Sequence, residues 1–212
     1  MSILTPRPAK VDFPKTLPGF EHVNRFWDNT HQRYAAKIMP GEFYVSSRTD
    51  EVIATVLGSC ISACVRDPIA KVGGMNHFML PATEEANFLG AATRYGQWAM
   101  EYLINEVLKQ GGRRERLEVK IFGGGQVLSN MTDIGKKNID FARDYLQNEG
   151  LRIQSEDVGT VFPRKVLFFP DSGRVRVKRL KSTRNDTVVK RETEYLRTIQ
   201  KPTDTAGEIE LF

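Results

Sequence analysis

Residues 51–81 read EVIATVLGSCISACVRDPIAKVGGMNHFMLP. Two apolar runs, Val52–Leu57 and Ile61–Val65, are joined by Gly58-Ser59 and Cys60, and a third, Met75–Leu80, follows Gly73-Gly74. β-Branched residues crowd the first run. Asp67-Pro68 closes the second, because proline donates no backbone hydrogen bond and holds its predecessor away from helical geometry. The stretch predicts three short strands separated by tight glycine turns. It also holds both cysteines, Cys60 and Cys64, and one of the three histidines, His77.

Upstream, Met1 to about Pro18 is spaced by prolines and lacks apolar periodicity, which predicts an extended or flexible lead. Phe20–Ile38 carries Phe20, Phe26, Trp27 and Tyr34, and reads as a short helix or an arm packed on the domain, with His22 and His31 as surface residues. Gly41–Val45 opens what reads as the first strand. Downstream, Ala82–Phe88 reads as a loop. From Ala91 to Gln110 apolar residues recur at spacings of three and four, a helix stopped by Gly111-Gly112. Leu117–Phe122 alternates as a strand and enters Gly123-Gly124-Gly125, read as a tight turn or a close backbone approach to a ligand. Asp133 is placed to cap a helix over Ile134–Asn148. Leu151–Val158, Lys165–Phe169 and Val175–Leu180 read as strands, the last two joined by the turn Pro170–Gly173. Beyond Lys181 the chain is polar, and Val188, Val189, Glu192, Leu196 and Ile199 outline one weakly amphipathic helix before a loose end. The order predicts an α+β class, a layered single domain with β-sheet packed against two main helices. Its division is an N-terminal arm over 1–40, a main domain over 41–180 and a polar extension over 181–212.

The 212 residues suffice for one core, with 40% hydrophobic and 27% charged residues. A net charge of +5 is spread along the chain, thickening only at Arg174–Arg184 without interleaved aromatics, so nucleic acid is not an expected partner. Two cysteines separated by three residues fit a reducing compartment, and the cytoplasm is the expected location. Neither paired CxxC nor HxxxH spacing occurs, so no metal or organic cofactor is expected. No stretch approaches the roughly 18 apolar residues of a membrane span, so no membrane insertion is expected.

Cys60 and His77 are the minimum equipment of a cysteine nucleophile. A thiol attacks as thiolate, and an imidazole beside it takes the proton. Neighbouring strands would bring the two side chains together in a cleft with one exposed thiol. Backbone N–H groups around Gly58, Ser59 and Cys60 are then placed to bind a carbonyl oxygen as charge develops on it. Thr55 and Ser59 are the candidates for a third group orienting the imidazole. Cys64 lies deeper in the apolar run and reads as structural.

Leu57-Gly58-Ser59-Cys60, Arg66-Asp67-Pro68 and the run Gly73–Pro81 (GGMNHFMLP) strongly resemble the CheD family of chemoreceptor glutamine deamidases. The resemblance continues through Arg94-Tyr95-Gly96, Lys120–Gly125 (KIFGGG), Ile134–Asn138 (IGKKN) and Glu156–Gly159 (EDVG), covering roughly Gly41 to Leu180. It departs at Thr160, where glycine is expected. It implies hydrolysis of glutamine side chains to glutamate on methyl-accepting chemotaxis receptors, without cofactor. Cys60 is then the nucleophile, His77 the general base and acid, and Thr55 the third member. The implied fold is a layered α/β arrangement similar to bacterial toxin deamidases. The resemblance also implies a second role, as an adaptor that binds a CheC-type phosphatase.

Overall fold

The strands flanking Gly58-Ser59-Cys60 are the middle strands of two different sheets. In the computed structural model, which describes residues 13–81, 86–127, 133–180 and 186–200, β4 (Glu51–Leu57) is central to one sheet and β5 (Ile61–Asp67) to the other. The first sheet runs β1 (Asn24–Asp28), β2 (Arg33–Lys37), β4, β9 (Arg164–Phe169), β10 (Arg174–Arg179). The second runs β3 (Phe43–Ser46), β6 (Val72–Asn76), β5, β7 (Glu118–Gly123), β8 (Ile153–Val158). Both sheets are mixed, with parallel pairs at β2–β4 and β7–β8. Because β4 and β5 are covered on both faces, their sequences are continuous apolar runs rather than alternating ones.

Helix α1 (Ala86–Lys109) packs on β3, β5 and β6, and α2 (Ile134–Asn148) on β5, β7 and β8, so both main helices cover the second sheet. The main core fills the space between the layers, with Leu57, Ile61, Val65, Met75, Met100, Leu103 and Phe168 almost fully buried. A smaller cluster of Ala35, Val52, Ala54, Leu167 and Phe169 lies on the first sheet. A third helix, α3 (Asp186–Gln200), matches the amphipathic stretch in the extension. The α+β class holds, with the strands divided between two sheets.

Several local expectations are corrected. Phe20–Ile38 is no helix: Asp28 Oδ1 accepts the N–H groups of Thr30 and His31 at 2.8 and 3.1 Å, closing a β1–β2 hairpin. The first strand is therefore β1, not the Gly41 segment. Gly73 and Gly74 lie inside β6 rather than before it. A Cβ on Gly74 would come within 2.7 Å of Leu103, Val45 and the Tyr44 carbonyl, so glycine is what lets α1 and β3 close on this strand. Of the loop expected over Ala82–Phe88, residues 82–85 lie outside the described residues and 86–88 are already helical. Asp133 stands at the N-cap of α2, but its side chain makes no capping bond. Thr160 occupies a left-handed turn at φ 67°, directly after Gly159 at φ 74°, which is the geometry that favours glycine there. Most of the expected lead, residues 1–12, lies outside the described residues.

Candidate active site

The loop between the two central strands is held by its carbonyls. Gly125 N–H donates to the Gly58 carbonyl and Gly124 N–H to that of Cys60, both at 2.7 Å. The Asn138 side-chain amide, from α2, donates to the Ser59 carbonyl at 2.8 Å. With all three oxygens bound, the N–H groups of Gly58, Ser59 and Cys60 are turned to one common point. The Gly123–Gly125 run thus serves a close backbone approach, to the cysteine loop itself. Gly123, at φ 118°, has no room for a Cβ against the Cys60 carbonyl.

His77 follows β6 directly. Its backbone is fixed by N–H donation to the Glu42 carbonyl at 2.9 Å and acceptance from Gly41 N–H at 2.7 Å. On the ring, Nδ1 lies 2.7 Å from Thr55 Oγ1, and that hydroxyl lies 2.9 Å from the Ile38 carbonyl. A carbonyl only accepts, so the single hydroxyl proton goes to Ile38 and the oxygen must accept from Nδ1–H. This assigns the tautomer: Nε2 carries the lone pair. Nε2 is buried and has no hydrogen-bond partner among the described residues. Burial first, and then the Arg191 charge, lowers the His77 pKa from 6.5 to about 3, keeping the ring neutral.

The Cys60 sulfur, a His77 ring nitrogen and a carboxylate oxygen of Glu192 lie within 4.8 Å of one another. The structure thus brings together Cys60, His77 and Thr55, with the Gly58 and Ser59 N–H groups beside them. Ser59 does not orient the ring; its hydroxyl donates to Glu192 at 2.6 Å. Cys64 sits mid-strand between Met75 and Lys120, outside the cluster. Both cysteines are free and buried. The expected exposed thiol is not found: Cys60 is 0% and His77 1% exposed. Burial, and then the charge of Glu192, pushes the Cys60 thiol well above its ordinary pKa.

What covers the site is Glu192, on α3. Its carboxylate accepts from Gly58 N–H at 2.7 Å and from Ser59 N–H at 2.8 Å, with Cys60 N–H at 3.4 Å. Sequence reasoning does not place this residue in the site. Its signal is a carboxylate inside the apolar stripe of a helix, a place where charge is buried only when something receives it. Cysteine, histidine and glutamate are a donor set that zinc accepts, but both Glu192 oxygens are already engaged by N–H donors.

The family described as CheD chemotactic sensory transduction matches residues 79–179. A protein of Halorhodospira halophila named Probable chemoreceptor glutamine deamidase CheD is 56% identical, the match covering 95% of each chain. Proteins with the same name from Hahella chejuensis and Saccharophagus degradans are 54% and 46% identical, covering 94% and 96% of this chain. Matches of this extent take in more than the middle of the chain, reaching beyond the Gly41–Leu180 span of the motifs. Among solved structures, the hypothetical protein YfiH of Bacillus licheniformis aligns at TM-score 0.38 and 14% identity over 54% of this chain and 49% of its own, too loosely to bear on function. No helix among the described residues is long and apolar enough to cross a membrane. The chain belongs to the CheD family.

Proposed function

We propose that this protein hydrolyses glutamine side chains of methyl-accepting chemotaxis receptors to glutamate, with Cys60 as nucleophile, His77 as general base and acid, and Thr55 as the group that orients His77. The observation that carries the reading is the Thr55–His77 bond, which leaves the Nε2 lone pair buried and unpartnered within reach of the only thiol in the cluster. The names of the relatives supply the substrate class.

His77 Nε2 takes the Cys60 proton as the sulfur bonds to the carboxamide carbon, and the charge on the former carbonyl oxygen is received by the Gly58, Ser59 and Cys60 N–H groups. The C–N bond then breaks, and His77 returns the proton to the departing ammonia. Water, losing a proton to His77, adds to the thioester. The C–S bond breaks, leaving glutamate and the free thiol. No step in this sequence calls for a metal or an organic cofactor.

In this reading 41–180 holds Cys60, His77 and Thr55, the arm 1–40 adds β1 and β2 to the first sheet, and the extension 181–212 carries α3. We place the protein in the cytoplasm, where its two free thiols stay reduced. A CheC-type phosphatase is the further partner proposed, on the support that the cradle of N–H groups already receives a helix-borne carboxylate. The test of the main reading is conversion of receptor glutamine to glutamate by purified protein, read by mass, and its loss in Cys60→Ala.

A further inference from the structure

Glu192 has the chemistry of the reaction's own product. A glutamate on a helix is what deamidation of a helix-borne glutamine leaves behind, and its carboxylate lies on the N–H groups of Gly58 and Ser59, near the Cys60 sulfur. Carboxylate and carboxamide have the same shape, differing in one oxygen for one nitrogen.

The helix that carries it is anchored along its length. Arg191 donates to the Val56 carbonyl at 2.5 Å, on the strand that leads into the cysteine loop. The hydroxyls of Tyr195 and Tyr95 are hydrogen-bonded, joining α3 to α1. Val188 and Leu196, on the same side as Glu192, are buried. Glu192 itself is fully buried, so no glutamine side chain from another helix can reach Cys60 while α3 is seated. A charged side chain is retained in the dry interior here because a set of unpaired backbone donors receives it.

We infer that α3 is an intramolecular mimic of the substrate: it fills the groove in which a glutamine-bearing helix docks, presents Glu192 where the glutamine side chain goes, and must leave before a receptor helix is modified. The inference rests on the deamidase reading above and adds a closed state of the site, in which this chain's own helix occupies it.

Two measurements on the full chain test it. In Glu192→Gln the mimic becomes a substrate. The Cys60 sulfur bonds to the carboxamide carbon of the introduced glutamine, ammonia leaves with the thiol's proton through His77, and water releases glutamate. Peptide mass analysis is expected to find glutamate restored at position 192, at a rate independent of protein concentration, with glutamine retained when Cys60→Ala is added. In Glu192→Ala the cradle is emptied, and iodoacetamide is expected to label Cys60 at least about tenfold faster than in the unsubstituted chain, as access and thiolate character rise together. Cys64 should stay unlabelled, which reports that the fold is intact. Both results are required. Glutamine persisting at position 192, conversion that scales with concentration, or labelling of Cys60 that is unchanged or matched by Cys64 each overturns the inference. The deamidase reading stands or falls separately, on receptor conversion by the unsubstituted chain and its loss in Cys60→Ala.

Discussion

Ile61 and Phe78 exchange both of their backbone hydrogen bonds, at 2.9 and 3.0 Å, one residue beyond Cys60 and one beyond His77. In this antiparallel register the side chains that flank the pair fall on one face, so Cys60 and His77 are diagonal neighbours. Two residues far apart in sequence are thus brought together by a single two-bond bridge between the sheet-crossing loop and the end of β6.

The bridge depends on the loop holding its shape, and Asn138 is the side chain that ties the loop to the segment after His77. It is fully buried, donating to the Ser59 carbonyl and accepting from Leu80 N–H at 2.8 Å each. Asn138→Ala leaves the buried Ser59 carbonyl and the half-buried Leu80 N–H without this partner and is expected to cost about 1–3 kcal/mol. Guanidinium unfolding at neutral pH measures it, and an unchanged midpoint would show that the loop is held by other means.

In the proposed mechanism Thr55 acts through His77, to which it is hydrogen-bonded, and its role is separable from binding. Thr55→Val removes the oxygen that accepts from Nδ1–H and frees the ring to turn over. The expected result is a kcat lower by roughly 100-fold with KM little changed, the lower end of what a positioned acid–base group supplies. Thr55→Ser keeps the oxygen and should recover most of the rate. Loss in both variants alike would mean that the methyl group's packing, and not the hydrogen bond, was the contribution.

Acid should weaken the fold through His77. Its pKa is about 3 in the folded chain against 6.5 for an ordinary imidazole. Between those values the unfolded chain binds a proton that the folded chain refuses, so unfolding free energy falls as pH falls through this window and is insensitive to His77 above it. The loss from this group between about pH 7.5 and about pH 5 is expected to be about 2 kcal/mol. The measurement is the difference in guanidinium midpoint between wild type and His77→Gln across that range. Equal pH dependence in the two would show that the ring is not held neutral by burial.

The strands and two of the helices are legible because their patterns are local: short uncharged runs bounded by glycine and proline for the sheet centres, three- and four-residue spacing for α1 and α2. The hairpin at Asn24–Lys37 is not, since its aromatic residues suit a helix face as well as a strand, and its turn signal is only Asp28-Asn29-Thr30. Cys60, His77 and Thr55 are legible as residue types and from family likeness. Their convergence is not, because it depends on a crossing between sheets and on the pairing of Ile61 with Phe78, neither of which leaves a periodic trace. In the sequence Glu192 is one position in an amphipathic stripe. Only the fold shows that the stripe faces a row of unpaired N–H groups 132 to 134 residues earlier in the chain.

The most direct test of the account is mass analysis of receptor methylation-region peptides after incubation with purified protein, beside Cys60→Ala and His77→Ala prepared identically. Wild type is predicted to convert specific glutamines to glutamates, with neither variant doing so above the level of receptor alone. Conversion by either variant at the wild-type rate would contradict the assignment of Cys60 as nucleophile and His77 as its base.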